Sequence, residues 1–403
     1  MRIDPNQRFA CSQCGRCCHR FDVVVSPGEI DLYRRREAAT WFREANGVAS
    51  DREPFEPIPG MPALRRIRKR ADGGCGFLTA DNRCRIHQEL GAAKKPLTCR
   101  LFPYAFHAAA DGTVVTASFG CPTIVANEGP LIGTGELLAG IESLRKEWVA
   151  IHPPLTAPLQ LVHGRNMETR TLRQVRENLL AMLNRDSADI RDDIRRIAAA
   201  FDDLTRSRVV ALSDEDFAEY ISLTLPHAAA KQEAPPRREP GAIARMLQYG
   251  FLYTVTAIRA DLEHPGQSRG RLRMLRLHLL AHFHGLAPAV ERVNVKALKR
   301  RRVDINDPHI RPIVFHYLRS TFETLGARNC PLLDEVSIAA SYLNAACSLA
   351  VMNAAAAGKD LDRATFIEAL TEASDTSHAR NALLDWILGR FSGGTDALWN
   401  LAA

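Results

Sequence analysis

Apolar and polar positions change their rhythm near residue 130. Beyond it, GTGELLAGIESLRKEWVAI (133–151) and TLRQVRENLLAMLNR (171–185) repeat apolar residues at helical spacing. Thr169 or Thr171 is the expected cap of the second helix. VSIAASYLNAACSLAVMNAAAA (336–357) is the longest apolar run. It is Ala-rich, carries Asn344 and Asn353, and lacks an aromatic belt and basic flanks, which predicts a buried bundle helix and no membrane span. Before residue 130 the pattern is broken. Phe21–Val25 and Thr113–Ala117 read as short strands, and FHAAADGTVVTASF with its Asp-Gly turn reads as a hairpin. Ser26-Pro27-Gly28-Glu29 has the order of a capping box opening a helix. IHQELGA reads as a short helix ended by Gly91, and REPFEPIPGMP as a loop because of its prolines.

The predicted fold is mainly α: a small irregular cysteine-rich module with short strands, followed by helical bundles. The module covers 1–127, a helical region 128–227, a polar proline-bearing linker 228–241, and a second bundle 242–403. Composition agrees with a folded protein, at 46% hydrophobic and 25% charged residues. Residues 1–10 have no apolar core, so no signal peptide is expected and the cytoplasm is the expected compartment.

Eight of the ten cysteines precede residue 122: Cys11, Cys14, Cys17, Cys18, Cys75, Cys84, Cys99 and Cys121. In a reducing compartment such clustering points to metal ligation. Cys330 and Cys347 lie in apolar helical surroundings and read as core residues. FACSQCGRCCHRF offers C-x2-C-x2-C, which wraps one site from three directions; Cys121-Pro122 resembles the remote Cys-Pro of bacterial ferredoxins. No separate second C-x2-C knuckle of the zinc type occurs, so iron–sulfur is favoured and zinc is the alternative. Eight thiols suit two four-ligand sites, or one site with spares. Adjacent Cys17 and Cys18 in extended chain would point apart, so Cys18 either serves a second site or stands behind the ligands. His19, His87 and His107 are nitrogen candidates, although surface or core roles suit each of them better.

The basic excess sits with the cysteines. Residues 1–125 hold 19 Lys and Arg against 13 Asp and Glu, while 126–403 hold 34 against 33. Neutralisation of metal-bound thiolates and simple solvation explain this better than nucleic-acid binding, whose best evidence is Arg65-Arg66-Ile67-Arg68-Lys69-Arg70.

Several motifs occur in order: F-x-C-x2-C-G-x-C-C from Phe9, C-x-F-L from Cys75, C-x-I-H from Cys84, P-x-T-C-R-x-F-P from Pro96, and Cys121-Pro122. Residues 8–125 thereby resemble the CxxCxxCC family of zinc- or iron-chelating proteins. The long interval from Cys84 to Cys99, the chain length and the helical remainder are similar to the flagellin lysine N-methylase branch. That resemblance implies a metal centre on the matching cysteines and methyl transfer from S-adenosylmethionine to lysines of a protein substrate. The residues themselves show neither a donor pocket nor a catalytic base. GPLIGTGEL lacks the strand that would make it a nucleotide loop. Two other readings stay open: a non-catalytic zinc or iron module scaffolding a helical interaction domain, and an iron–sulfur redox protein. His278, His282 and His284 read as satisfied helix histidines, RRREAATWFRE and LKRRRV as solvated faces, and Cys99-Arg100 as ligation rather than a nucleophile.

Overall fold

The computed structural model describes residues 1–46, 53–109, 111–151, 158–231, 233–238, 303–328, 330–375 and 395–402. The histidines at 278, 282 and 284, most of LKRRRV and much of the 242–403 region lie outside them.

The N-terminal module is built from small pieces. Strand β1 (Arg2–Ile3) precedes helix α1 (Arg16–Arg20), strand β2 (Val24–Val25) and helices α2 (Pro27–Arg34) and α3 (Ala38–Asn46). At α2 the expected capping box forms: Ser26 Oγ accepts from Glu29 N at 3.4 Å and Glu29 Oε2 accepts from Ser26 N at 2.8 Å. Strands β3 (Phe55–Ile58) and β4 (Met61–Ile67) follow, so REPFEPIPGMP is a hairpin and not a loop. The prolines are tolerated because β3 is an edge of the β2-β4-β3 sheet, its register shifts at Pro57/Ile58, and Pro62 lies beyond the residues of β4 that pair with β2. Gly60, at φ 78°, makes the turn.

Helix α4 (Arg85–Leu90) ends at Gly91 (φ 83°) as expected, and α5 (Leu97–Leu101) leads into the hairpin of β5 (Tyr104–Ala109) and β6 (Gly112–Ala117). β6 also pairs in parallel with β1. The basic run is paired in part: on β4 Arg66 meets Glu56 and Asp22, and just beyond it Arg68 meets Glu56.

Helices then dominate: α6 (Pro122–Ala126), α7 (Gly135–Ile151) and, after the small β7/β8 hairpin (Gln160–Val162, Arg165–Asn166), α8 (Thr169–Met182). Neither threonine caps α8. Glu168 occupies the cap without a side-chain bond, and Thr171 is buried inside the helix. α9 (Ile190–Leu204) buries Ile190, Ile194, Ile197, Phe201 and Leu204 at helical spacing, and Asp189 caps it through Arg191 N. α10 (Ser207–Val210) and α11 (Asp214–Ala230) follow; α11 takes in the first residues of the expected linker and stops before the polar Lys231. The chain resumes with α12 (Arg311–Glu323), α13 (Leu332–Ala356), α14 (Arg363–Asp375) and α15 (Asp396–Leu401).

The main core joins both sides of that polar stretch, with Leu172, Ile197 and Phe217 in one cluster with Val314, Phe366 and Leu398. α13 has the length and hydropathy of a membrane span, yet 72% of its most apolar window is buried against other elements. Its Asn344 is satisfied by donating to Ala340 O and Ala397 O at 2.9 and 2.8 Å. A second cluster, with Tyr33, Phe42, Phe55 and Phe77, supports the module, and a third lies around Phe106 and Ile141. Cys330 and Cys347 are half-buried, Cys347 against the main core.

Two buried acids organise the joint between module and bundle. Asp375, at the end of α14, takes Arg16 Nε at 3.1 Å and Arg20 from the opposite end of α1. Glu335 on α13 is 3% exposed and accepts from Gly326 N at 2.9 Å. Removing the Asp375 carboxylate takes a buried acid away from the guanidinium groups of Arg16 and Arg20. Asp375→Ala is therefore expected to lower stability by about 3 kcal/mol in chemical denaturation. Burial pushes the Glu335 carboxyl from 4.5 up to about 7, with Arg328, the Gly326 N–H and Arg2 opposing that rise. The folded state holds this proton more tightly than the unfolded chain, so stability falls as pH rises from about 4.5 to about 7. Glu335→Gln is expected to flatten that part of the stability–pH curve, whose full depth is on the order of 3 kcal/mol.

Candidate metal centre

Each cysteine is held by a short element whose geometry is set locally. Gly15 at φ 72° caps α1 in the left-handed region, and a Cβ there would stand 2.7 Å from Asn82 Oδ1, so the C-G-x-C-C glycine is sterically required. Cys17 and Cys18 fall on α1, which is helical where extended chain was assumed; their sulfurs lie 4.0 Å apart and so face the same region. Cys18 O accepts from Cys75 N at 2.8 Å, which docks the C-x-F-L segment against α1. Isolated bridges pair Lys69 with Cys75 and Leu78 with Cys84. Cys84 caps α4, Cys99 sits within α5, and Cys121 caps α6, where Pro122 takes the first turn.

The Cys99 segment is fixed by helix α2. Glu29 Oε1 accepts from Leu97 N at 2.7 Å, Thr98 Oγ1 donates to Val24 O at 3.1 Å, and Tyr33 OH donates to Lys94 O at 2.8 Å. Arg100 is committed to Glu147 on α7 through two bonds of 2.9 and 2.8 Å. It therefore does not serve to activate its neighbour Cys99 as a nucleophile.

Together these elements surround a cavity of about 910 Å3 into which Cys11, Cys14, Cys17, Cys18, Cys84, Cys99 and Cys121 face. Cys75 is buried behind this wall, electrostatically coupled to Cys17, Cys84 and Cys99. Cys121 couples instead to Cys14. His87 lines the cavity; His107 bonds Thr116 on the hairpin, and His19 packs by Gly74. All ten cysteines are free thiols. Among the described residues, no three His, Cys, Asp or Glu side chains converge closely enough to hold a single ion.

Thiolate formation in this wall needs a compensating positive charge. Burial pushes the Cys75 thiol up to about 11 and raises Cys99, with Cys75 beside it adding to the effect. The Cys17 thiol is raised first by its bond to Cys18 and then by burial. Without a metal these sulfurs would remain protonated; coordination supplies the positive charge that reverses the order. Lys95 points the same way. It is half-buried, and the charges around it that favour its ammonium form are Cys99, Cys84, Cys18 and Cys11. An ammonium group among sulfurs is sensible where the sulfurs carry charge. The residues therefore fit a thiolate-bound metal.

Sequence reasoning overlooked Lys95, the two arginines of α1 and their acid. Lys95 stood in the quoted motif string, and only its packing marks it. Asp375 had no signal, since it lies hundreds of positions from the motif it grips. Gly120, next to Cys121, makes that approach possible: a Cβ there would meet Asp375 Oδ1 at 2.4 Å.

No curated protein and no solved structure matches this chain, so the likeness to flagellin lysine N-methylases rests on the motif string alone. Residues 10–122 match the model of the CxxCxxCC family, described as a "putative zinc- or iron-chelating domain". That match takes in all eight clustered cysteines.

Proposed function

We propose that the CxxCxxCC domain holds an iron–sulfur cluster on its cysteine thiolates, in preference to zinc. The observation that carries this reading is that one cavity gathers seven thiols, more than the four a single zinc takes, from the C-x2-C-x2-C-C run and three remote segments. A tetrahedral zinc with Zn–S bonds of about 2.3 Å draws its sulfurs to within about 3.8 Å of one another. The 4.0 Å Cys17–Cys18 pair approaches that spacing, and it comes from neighbouring residues. In a [4Fe–4S] cluster each thiolate binds a different iron, so the sulfurs stand farther apart and around a larger body. Cys17, Cys84 and Cys99, with Cys75 or Cys18, form the better-connected donor group; Cys11, Cys14 and Cys121 form the other. Such a cluster, when bound, supplies either a redox couple or a Lewis-acidic iron. Lys95 would offset thiolate charge, and Glu29 and Tyr33 would keep the Cys99 segment in place.

The finer reading is methyl transfer from S-adenosylmethionine to lysines of a protein substrate, in the cytoplasm. The Cys84–Cys99 interval and the large helical remainder support it, and reduced thiols suit that compartment. A protein partner follows from the same reading, and neither nucleic acid nor a membrane is required.

Protein purified without oxygen is expected to be brown, with iron and acid-labile sulfide in equal amounts. Stoichiometric zinc in colourless protein would refute the cluster. Cys99→Ser is expected to abolish the visible band and Cys330→Ser to leave it intact. Cys18→Ser distinguishes a ligand from a bystander: iron per chain falls in the first case and holds in the second. Labelled S-adenosylmethionine added with cell extract is expected to mark a protein lysine; an unlabelled extract would remove the methyltransferase reading and leave the cluster standing.

A further inference from the structure

Where the β5/β6 hairpin of the domain meets helices α12, α13 and α14, a second cavity of about 320 Å3 opens, lined by no cysteine. Its wall includes Arg328, Glu335, Tyr317, Tyr342, Ser320 and Ser374. Both signs of charge are present. Arg328 and Glu335 attract one another electrostatically; among the described residues no ion pair joins their side chains, and Glu335 takes its hydrogen bonds from the Gly326 and Arg328 backbone N–H groups. A guanidinium and a carboxylate on one wall leave each with unused capacity, since a guanidinium offers five donors and a carboxylate about four acceptor positions. Ser374 adds an independent sign: it is 6% exposed, lines the cavity, and its Oγ has no hydrogen-bond partner. Buried hydroxyls without partners are rare in folded proteins and call for an explanation.

We propose that this cavity binds a small zwitterion, an α-amino acid, with its carboxylate on Arg328 and its ammonium group on Glu335. Ser374 Oγ donates to the ligand carboxylate. The two opposite charges match the ligand's own pair, and a guanidinium suits a carboxylate through two parallel bonds. The tyrosine rings of Tyr317 and Tyr342 leave an apolar face for a short side chain. The volume sits at the low end of binding cavities, which suits a small ligand. Ser374 directly precedes Asp375, the acid that holds Arg16 and Arg20 of the cysteine helix, so the ligand lies one residue from the tie to the CxxCxxCC domain. The proposal is independent of which metal that domain carries.

Calorimetric titration of the full chain, as purified, with the twenty common amino acids tests it. At least one small member is expected to bind, while the matching amine without a carboxylate and the matching acid without an amine bind about tenfold more weakly or worse, as the loss of one charge-assisted contact requires. Ser374→Ala, which leaves the Arg328 and Glu335 charges in place, is expected to weaken binding several-fold; Glu335→Gln is expected to remove the preference for the zwitterion over the plain acid. Absence of binding across the panel overturns the proposal. Equal binding by the acid alone, or an unchanged affinity in Ser374→Ala with intact thermal stability, overturns it as well.

Discussion

Sulfur atoms that are to act as thiolates repel one another, and burial raises the free energy of charging each of them. The N-terminal domain places seven thiols around one cavity and an eighth behind its wall, where charging them as thiolates needs a cationic centre beside them. Its aromatic support, from Tyr33, Phe42, Phe55 and Phe77, is small beside the main core. A metal held by these sulfurs would cross-link the short elements around the cavity, and the helical bundle is the scaffold that keeps their ends in place.

That scaffold acts through a few definite contacts. Asp375 reaches across to Arg16 and Arg20, on either side of Cys17 and Cys18. Arg100, next to Cys99, is clasped by Glu147 of α7. Arg2 donates to the carbonyl of Leu325 at the end of α12. Each contact joins an arginine of the domain to an acid or a carbonyl of the helical region. The basic residues of 1–125 thus serve partly in docking, partly in pairing on and just beyond β4, and partly, through Lys95, beside the thiols.

The second cavity gives the joint a further meaning. Its charged wall comes from the bundle, and its other side comes from the β5/β6 hairpin of the domain. A ligand there would touch both parts and lie beside the Asp375 tie. The buried Glu335 is a destabilising element of the folded chain at neutral pH, and a protein keeps such a group more readily where it meets a ligand.

Most local features were legible in the sequence, the cap of α8 excepted. The Ser26–Glu29 capping box, the helix ended by Gly91, the Asp-Gly hairpin and the buried Ala-rich helix each depend on residues within a few positions of one another. So did the donor type, because thiol chemistry is fixed by composition and spacing. Failures came where the environment outweighed propensity. Proline-rich 55–62 became a hairpin because edge position and a register shift remove the need for its missing donors. Cys17 and Cys18 face together because Gly15 launches a helix there. What tertiary structure alone decided is which groups share a space: Lys95 among the sulfurs, Asp375 on α1, and Arg328 with Glu335 at one wall. Such meetings depend on how distant segments pack, and no periodicity or motif of a linear chain encodes them.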